Sequence, residues 1–456
     1  MRVEFSLRRA CWLRGLAGLL LILFGGAFAH GESFQVINSP SNAVSALVEG
    51  SDGNLYGTTY YGGHEDLGTI VRIAGGNDQG IFQFSGGDIG ANPAAALFAN
   101  TDGYLYGTTQ YGGTNNAGIV FRVSTNGDLG VLYRLNGATD GSEPIAPLVA
   151  GANGALYGTA SRGGAGGCGT VFQITTNGIF TVLHSFIGAD GDNPGAALTV
   201  LSDGSVWGVT QYGGSDNQGT IFQIIAPGEP QLLFQSIFSF TGANGAIPQS
   251  ALVQTPNHIL YGTTTYGGTG FGSIFTMTTN GAFATLYNAS GDNLGSNPSG
   301  GVVYAADGNL YGVASFGGTN GFGSLFECTT TGDMESIYDF DGQGDGAYPA
   351  VTLEQPAPGT FYGSTILGGV EGFGAIFQFV AANIGPLVSI GSSDGLALLS
   401  WNTIPGRAYQ LQTKANLTQP NWNNVGSSNI APSTTLSLTE TIGALPSRFF
   451  RVVLLP

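Results

Sequence analysis

The stretch "GNLYGTTYYGG" at residues 53–63 returns six more times, as "GYLYGTTQYGG", "GALYGTASRGG", "GSVWGVTQYGG", "HILYGTTTYGG", "GNLYGVASFGG" and "GTFYGSTILGG". Its aromatic residues are Tyr56, Tyr106, Tyr157, Trp207, Tyr261, Tyr311 and Tyr362, spaced by 50, 51, 50, 54, 50 and 51 residues. A fixed period of this length restricts a chain to propellers, solenoids or arrays. Other columns keep the same register. Nine residues before each aromatic stands Leu47, Leu97, Leu148, Leu198, Leu252, Val302 or Leu353. Thirteen before it stands Pro93, Pro144, Pro194, Pro248, Pro298 or Pro349, with Ala43 in the first copy.

Each unit supplies four short strand signals, which in the second copy are "PAAALFA", "YLYGTT", "GIVFRV" and "LGVLYRL". They are rich in β-branched and aromatic residues and lie between turn signals such as "DGNL" and "TNG". Sustained 3.6-residue periodicity is missing, so helices are expected to be nearly absent. Four strands per ~50 residues is the content of a propeller blade. The ends of the array indicate closure. "SFQVINS" (33–39) reads as the last strand of a unit, and no such strand follows "GAIFQF" (374–379). The expectation is an all-β, seven-bladed β-propeller over residues 34–380, closed by the N-terminal strand. A single blade cannot bury both of its faces, whereas a ring of seven can. Alternation within "LYGTT" sends Tyr56 and Thr58 to one face, so the aromatic column reads as wedges between blades.

The pattern "LYGTT…YGG…G.IF.I" in tandem resembles the GloVer repeat of exported bacterial proteins, the choice-of-anchor tandem-repeat family. That resemblance spans residues 34–380. It implies a secreted or surface location and carries no catalytic residues with it.

The N-terminus reads as a processing segment. Arg2, Arg8, Arg9 and Arg14 precede a short apolar run and the small-residue "AFA", predicting a signal peptide over 1–29, cleaved after Ala29. Of 12 basic and 29 acidic residues, cleavage leaves eight and 28, a net charge of −20. With one lysine, Lys414, such a chain cannot neutralise phosphates, which excludes nucleic acid and disfavours anionic membranes. After cleavage no stretch is long and apolar enough to span a bilayer. Cys168 and Cys328 lie about three repeats apart, too far around a ring to bond, so both are expected to be free thiols.

Composition shifts after Phe379. Residues 381–388 read as a linker, and 389–456 as a small β-sandwich carried by "LALLSW", "AYQLQT", "TLSLTE" and "RFFRVVL". This tail resembles the fibronectin-III-like modules that end many exported bacterial proteins. Trp401 and Trp422 are expected in its core.

No catalytic, cofactor-binding or metal residue is assigned from the sequence. His64, His184 and His258 show no ligand spacing. Asp339, Asp341 and Asp345 alternate as in a calcium loop, but the twelfth position is Ala350, and the recurrence of "DGSEP" and "DGDNP" favours a turn. Two places break the repeat. One is Glu327, in a strand column otherwise held by Arg72, Arg122, Gln173, Gln223, Thr276 and Gln378. The other is the insertion-like "HEDL", His64–Leu67. The expectation is a monomeric, non-catalytic scaffold, exported to the extracellular space, cell surface or periplasm. It would bind an extracellular glycan or surface protein through propeller loops. The alternative is a carbohydrate-active hydrolase or lyase with its site at the mouth of the channel.

Overall fold

The computed structural model describes residues 33–40, 42–75, 77–225, 233–291 and 295–381. In the C-terminal part it describes 388–393, 396–402, 408–414, 423–430, 435–441 and 449–454. The expected signal peptide, most of the linker and Trp422 lie outside the described residues, as does the side chain of Trp401.

Seven antiparallel sheets are arranged as the blades of a β-propeller. Blade 1 is formed by Val48–Glu49, Leu55–Thr59, Thr69–Ala74 and Asn77–Gln83, hydrogen-bonded in chain order. Blades 2 to 6 repeat this order. The short first strands of neighbouring blades touch, whereas the fourth strands are the most exposed, which puts the first strands at the axis. Only Phe98–Ala99 of the expected strand "PAAALFA" is regular. Pro93 at its head has no N–H for a ladder, and the Ala95 carbonyl accepts the Thr58 hydroxyl of blade 1 instead. The one helical element among the described residues is the 3₁₀ turn Gly87–Ile89.

The seventh blade closes as its missing strand requires. Ser33–Asn38 pairs antiparallel with Ile376–Val380, setting Ser33 opposite Val380, Phe34 opposite Phe379 and Val36 opposite Phe377. Phe34 is buried and stacks on Tyr338 of blade 6 at 3.7 Å between ring centroids. On the other side of the seam, the Ser364 hydroxyl of blade 7 donates to the Val44 carbonyl of blade 1.

The aromatic column forms the inter-blade wedges. Tyr56 packs with Leu97, Leu105 and Phe121 of blade 2, and Tyr106 with Leu148, Leu156 and Phe172 of blade 3. Trp207 meets Leu252 and Phe275, and Tyr362 meets Val44 and Leu47 across the seam. Each fully buried ring contributes roughly 1.5–3 kcal/mol. Burial obliges the polar tip to find a partner. The hydroxyls of Tyr56, Tyr106 and Tyr311 donate to Asp52, Asp102 and Asp307 at 2.8, 2.6 and 2.7 Å. The turn aspartate four residues upstream is therefore part of the wedge, a link the sequence reading missed.

In blades 1 to 6 the glycine that opens the third strand touches the proline column of the next blade. A Cβ on Gly118 (φ +96) would lie 2.4 Å from the Thr109 carbonyl and 2.6 Å from Pro144 Cδ of the next blade. Glycine alone fits that φ and that approach.

In the tail, Val388–Ser393, Leu396–Asn402 and Thr435–Thr441 form one sheet. Ala408–Lys414 pairs with Asn423–Asn424, Asn429–Ile430 and Phe449–Leu454 in a second. The four strands read from the sequence are present, and the first strand begins at Val388, inside the expected linker.

Candidate functional site

The antiparallel order places two loop sets at one end of the ring: the "YGG" loops between second and third strands, and the connections from fourth strands to the next blade. This loop face is opposite the turn face, which carries the "DG" and "TNG" turns.

The two loop sets are stapled together. The residue before each column proline has positive φ: Asn92 (55°), Glu143 (56°), Asn193 (58°), Ile247 (54°), Asn297 (55°) and Tyr348 (58°). Its N–H donates to the preceding blade's loop, as from Asn92 to Leu67, Asn193 to Cys168 and Ile247 to Gln218. Its carbonyl accepts from the loop of its own blade, as from Gln110 to Asn92, Gln211 to Asn193 and Thr265 to Ile247. For a β-branched residue such as Ile247 this conformation costs about 1–3 kcal/mol, so the paired backbone bonds and the proline impose it. The result is a rigid platform beneath the loops.

The side chains on this platform come from the position before the double glycine: Tyr61, Tyr111, Arg162, Tyr212, Tyr266, Phe316 and Leu367. Tyr61 (58%), Tyr266 (48%) and Phe316 (47%) are unusually exposed for aromatic residues. Around blades 1 to 3 the surface is polar. The Tyr60 hydroxyl donates to Gln110 at 2.8 Å, the Gln110 amide to Glu143 at 3.0 Å, and Arg162 faces Glu143 at 3.4 Å. The blade 7 loop exposes the apolar residues Ile366, Leu367, Val370 and Phe373.

Between blades 3 and 4 the loop face opens into a cavity of about 290 Å³, lined by Ser161, Arg162, Cys168, Asp192, Asn193 and Tyr212 among others. Its floor is the staple itself. Asn193 donates through its N–H to the Cys168 carbonyl, and Asp192 and Tyr212 exchange backbone bonds at 2.9 and 3.0 Å. Burial pushes the Cys168 thiol up, with Asp192 and Asp190 adding to the shift. The Asn193 Oδ1 is buried without a hydrogen-bond partner.

The residues singled out in the sequence fall into place as follows. "HEDL" is not an insertion, because Gly63 to Gly68 spans the same number of positions as Gly113 to Gly118. His64 and Glu65 are an exposed pair at 3.7 Å. Glu327 lies in the third strand of blade 6 and accepts from the Asn309 amide. Burial raises its carboxyl above the usual range, against the hydrogen bond from Asn309 that lowers it. The aspartates of the "DG" connections are turn caps. Asp345 accepts from the Tyr338 hydroxyl at 2.7 Å and from the Asp341 N–H, as Asp140 does from Tyr133 and Asn136. Among the described residues no group of three His, Cys, Asp or Glu side chains is placed to hold a metal ion. Cys168 and Cys328 are both free. Sequence reasoning missed Asp192 and the significance of Arg162. The available signal was column comparison, since no other copy carries either residue at those positions.

The model of the Gloeobacter/Verrucomicrobia repeat matches residues 43–271 and 269–399. No curated protein matches the chain. Among solved structures it is similar to a puromycin-hydrolysing peptidase of Mycobacterium tuberculosis, at a TM-score of 0.52 and 11% identity, covering 80% of this chain and 60% of that one. It is also similar to the gluconolactonase XC5397 of Xanthomonas campestris, at a TM-score of 0.42 and 10% identity, covering 78% and 93%. At these identities the likeness concerns the fold alone. No helix among the described residues is long and apolar enough to cross a membrane.

Proposed function

We propose that this chain, which belongs to the Gloeobacter/Verrucomicrobia repeat family, is a non-catalytic exported scaffold that binds a glycan through its loop face. The supporting observation is the exposed aromatic column, Tyr61, Tyr212, Tyr266 and Phe316, held on stapled loops. Tyrosine offers an apolar face for the C–H face of a sugar and a hydroxyl for its polar edge. Loops on a rigid ring lose little entropy on binding, which favours recognition. Several like positions around one face also permit weak contacts to add along a polymer.

The remaining parts of the reading follow from the sequence. Residues 1–29 direct export, 34–380 form the recognition unit, and 389–456 form a fibronectin-III-like spacer. The chain acts as a monomer. The test is a glycan array scored for both binding and turnover, with the full chain and with a variant carrying Tyr61→Ala and Tyr266→Ala. Binding without turnover, weakened in the variant, is expected. Reproducible cleavage abolished by Glu327→Gln would overturn the reading in favour of a carbohydrate-active enzyme.

A further inference from the structure

Seven near-identical blades make departures from the repeat informative, because packing alone accounts for what the copies share. At the position before the double glycine, Arg162 replaces the aromatic or leucine of every other blade. At the position before the third-strand glycine, Cys168 stands where other copies have Leu67, Ala117, Gln218, Phe271, Phe322 and Phe373. Two residues before the column proline, Asp192 stands where others have Ala91, Ser142, Ala246, Ser296 and Ala347. These three departures come from two blades and different loops, yet all three line the one cavity between blades 3 and 4.

We propose that this cavity is the primary sugar subsite of the loop face and takes one neutral hexopyranose ring. This rests on the glycan reading above and specifies its ligand. The volume of about 290 Å³ lies just below the range for small-molecule clefts, roughly 300–1,000 Å³, which suits one ring and not a longer chain. The cavity's unused capacity is for accepting hydrogen bonds. The Asp192 carboxylate lines the cavity with the Cys168 thiol as a hydrogen-bond partner, and a carboxylate has about four acceptor positions. Ligand hydroxyls can donate to the positions the thiol leaves free. Arg162, two-thirds exposed, supplies donors at the rim, and the ring of Tyr212 forms a wall. Glu143 at 3.4 Å already balances the Arg162 charge. The site therefore has no surplus positive charge for a uronate, and the chain's net negative charge also opposes one.

The experiment uses the full chain and a variant that restores the residues of neighbouring copies, Arg162→Tyr with Cys168→Ala and Asp192→Ala. Other blades fold with these residues in place, so the ring should persist, as circular dichroism would check. Binding of methyl glucoside, methyl galactoside, methyl mannoside, glucosamine and glucuronate is measured by saturation-transfer NMR and calorimetry. The expected result is saturable binding of at least one neutral hexoside, weakened tenfold or more in the variant. The same hexoside should slow alkylation of Cys168, read by peptide mass mapping. Tighter binding of glucuronate or glucosamine, no hexoside binding, or unchanged affinity in the variant would each overturn the proposal. If a glycan array still shows binding that depends on Tyr61 and Tyr266, the cavity assignment alone has failed. If the array is blank, the glycan reading has failed with it.

Discussion

Replacing Phe34 with alanine tests the closure directly. The ring of Phe34 stacks on Tyr338 at 3.7 Å and lies 5.3 Å from Phe377 and 5.8 Å from Phe340, between centroids. Phe180 is its counterpart in blade 3, stacked on Tyr133 at 4.0 Å and on Phe172 at 4.7 Å. Truncating a packed phenylalanine costs about 3–5 kcal/mol. The two substitutions should nevertheless differ in where that loss appears. The strand Phe180–Ser185 is a mid-chain segment, continuous with the third strand of its own blade. The strand Ser33–Asn38 is joined to blade 7 by pairing and packing alone, more than 300 residues away along the chain. It can detach without unfolding the rest. At about 1.4 kcal/mol per decade, a loss of 3–5 kcal/mol raises the detached population roughly 10²- to 4 × 10³-fold. Native-state amide exchange is the assay. In Phe34→Ala, residues 34–37 should exchange faster by about that factor while blades 2 to 5 are unchanged. In Phe180→Ala the acceleration should spread through blade 3. If residues 34–37 exchange at the wild-type rate, or the whole ring accelerates together, the strand is not an independent latch and the reasoning fails.

Further outcomes follow from the same structure. Gly118→Ala forces a Cβ into the Thr109 carbonyl at positive φ, so chemical denaturation should show a loss of at least about 2 kcal/mol. Tyr106→Phe removes the hydroxyl bonded to Asp102 and should cost about 1–3 kcal/mol by the same measurement, with the inter-blade packing retained. Burial, with Asp341 beside it, pushes the carboxyl of Asp345 up to about 7, from an unfolded value of 3.8. The folded state then holds the extra proton, so this contribution to stability is full below the unfolded value and lost as pH rises through about 7. Melting temperature should accordingly fall from pH 4 to pH 8 more steeply in the wild type than in Asp345→Asn. Parallel slopes would refute the assignment.

Blade number, wedge residues and closure were legible because each depends on a pattern within one repeat. The staples were not. Asn92 and Asn297 have side chains that tolerate positive φ, but Glu143, Ile247 and Tyr348 adopt it too, because bonds to the adjoining blade impose it. The Tyr–Asp bond at the turn face was hidden for a related reason: "DG" is sufficiently explained as turn chemistry, so nothing local asked for a second role. The outer stacks of Phe34 on Tyr338, Phe180 on Tyr133, Phe234 on His184 and Phe283 on Phe238 join fourth strands some 50 residues apart in the period and do not appear in a single-repeat reading. At the candidate site, the charges of "HEDL" drew attention although its length is ordinary. The departures that share a cavity are individually plain residues, and only the fold shows that Arg162, Cys168 and Asp192 meet.

The pairing of Ser33 with Val380 has a consequence for how the ring can be held. The strand Ile376–Val380 leaves the loop face and ends at the turn face, so the polypeptide enters and exits at neighbouring points on that underside. Whatever is joined at either end pulls from the back of the disc. A tether of any kind, however long, leaves the stapled loops pointing away from the point of attachment, as a dish is carried on a stalk.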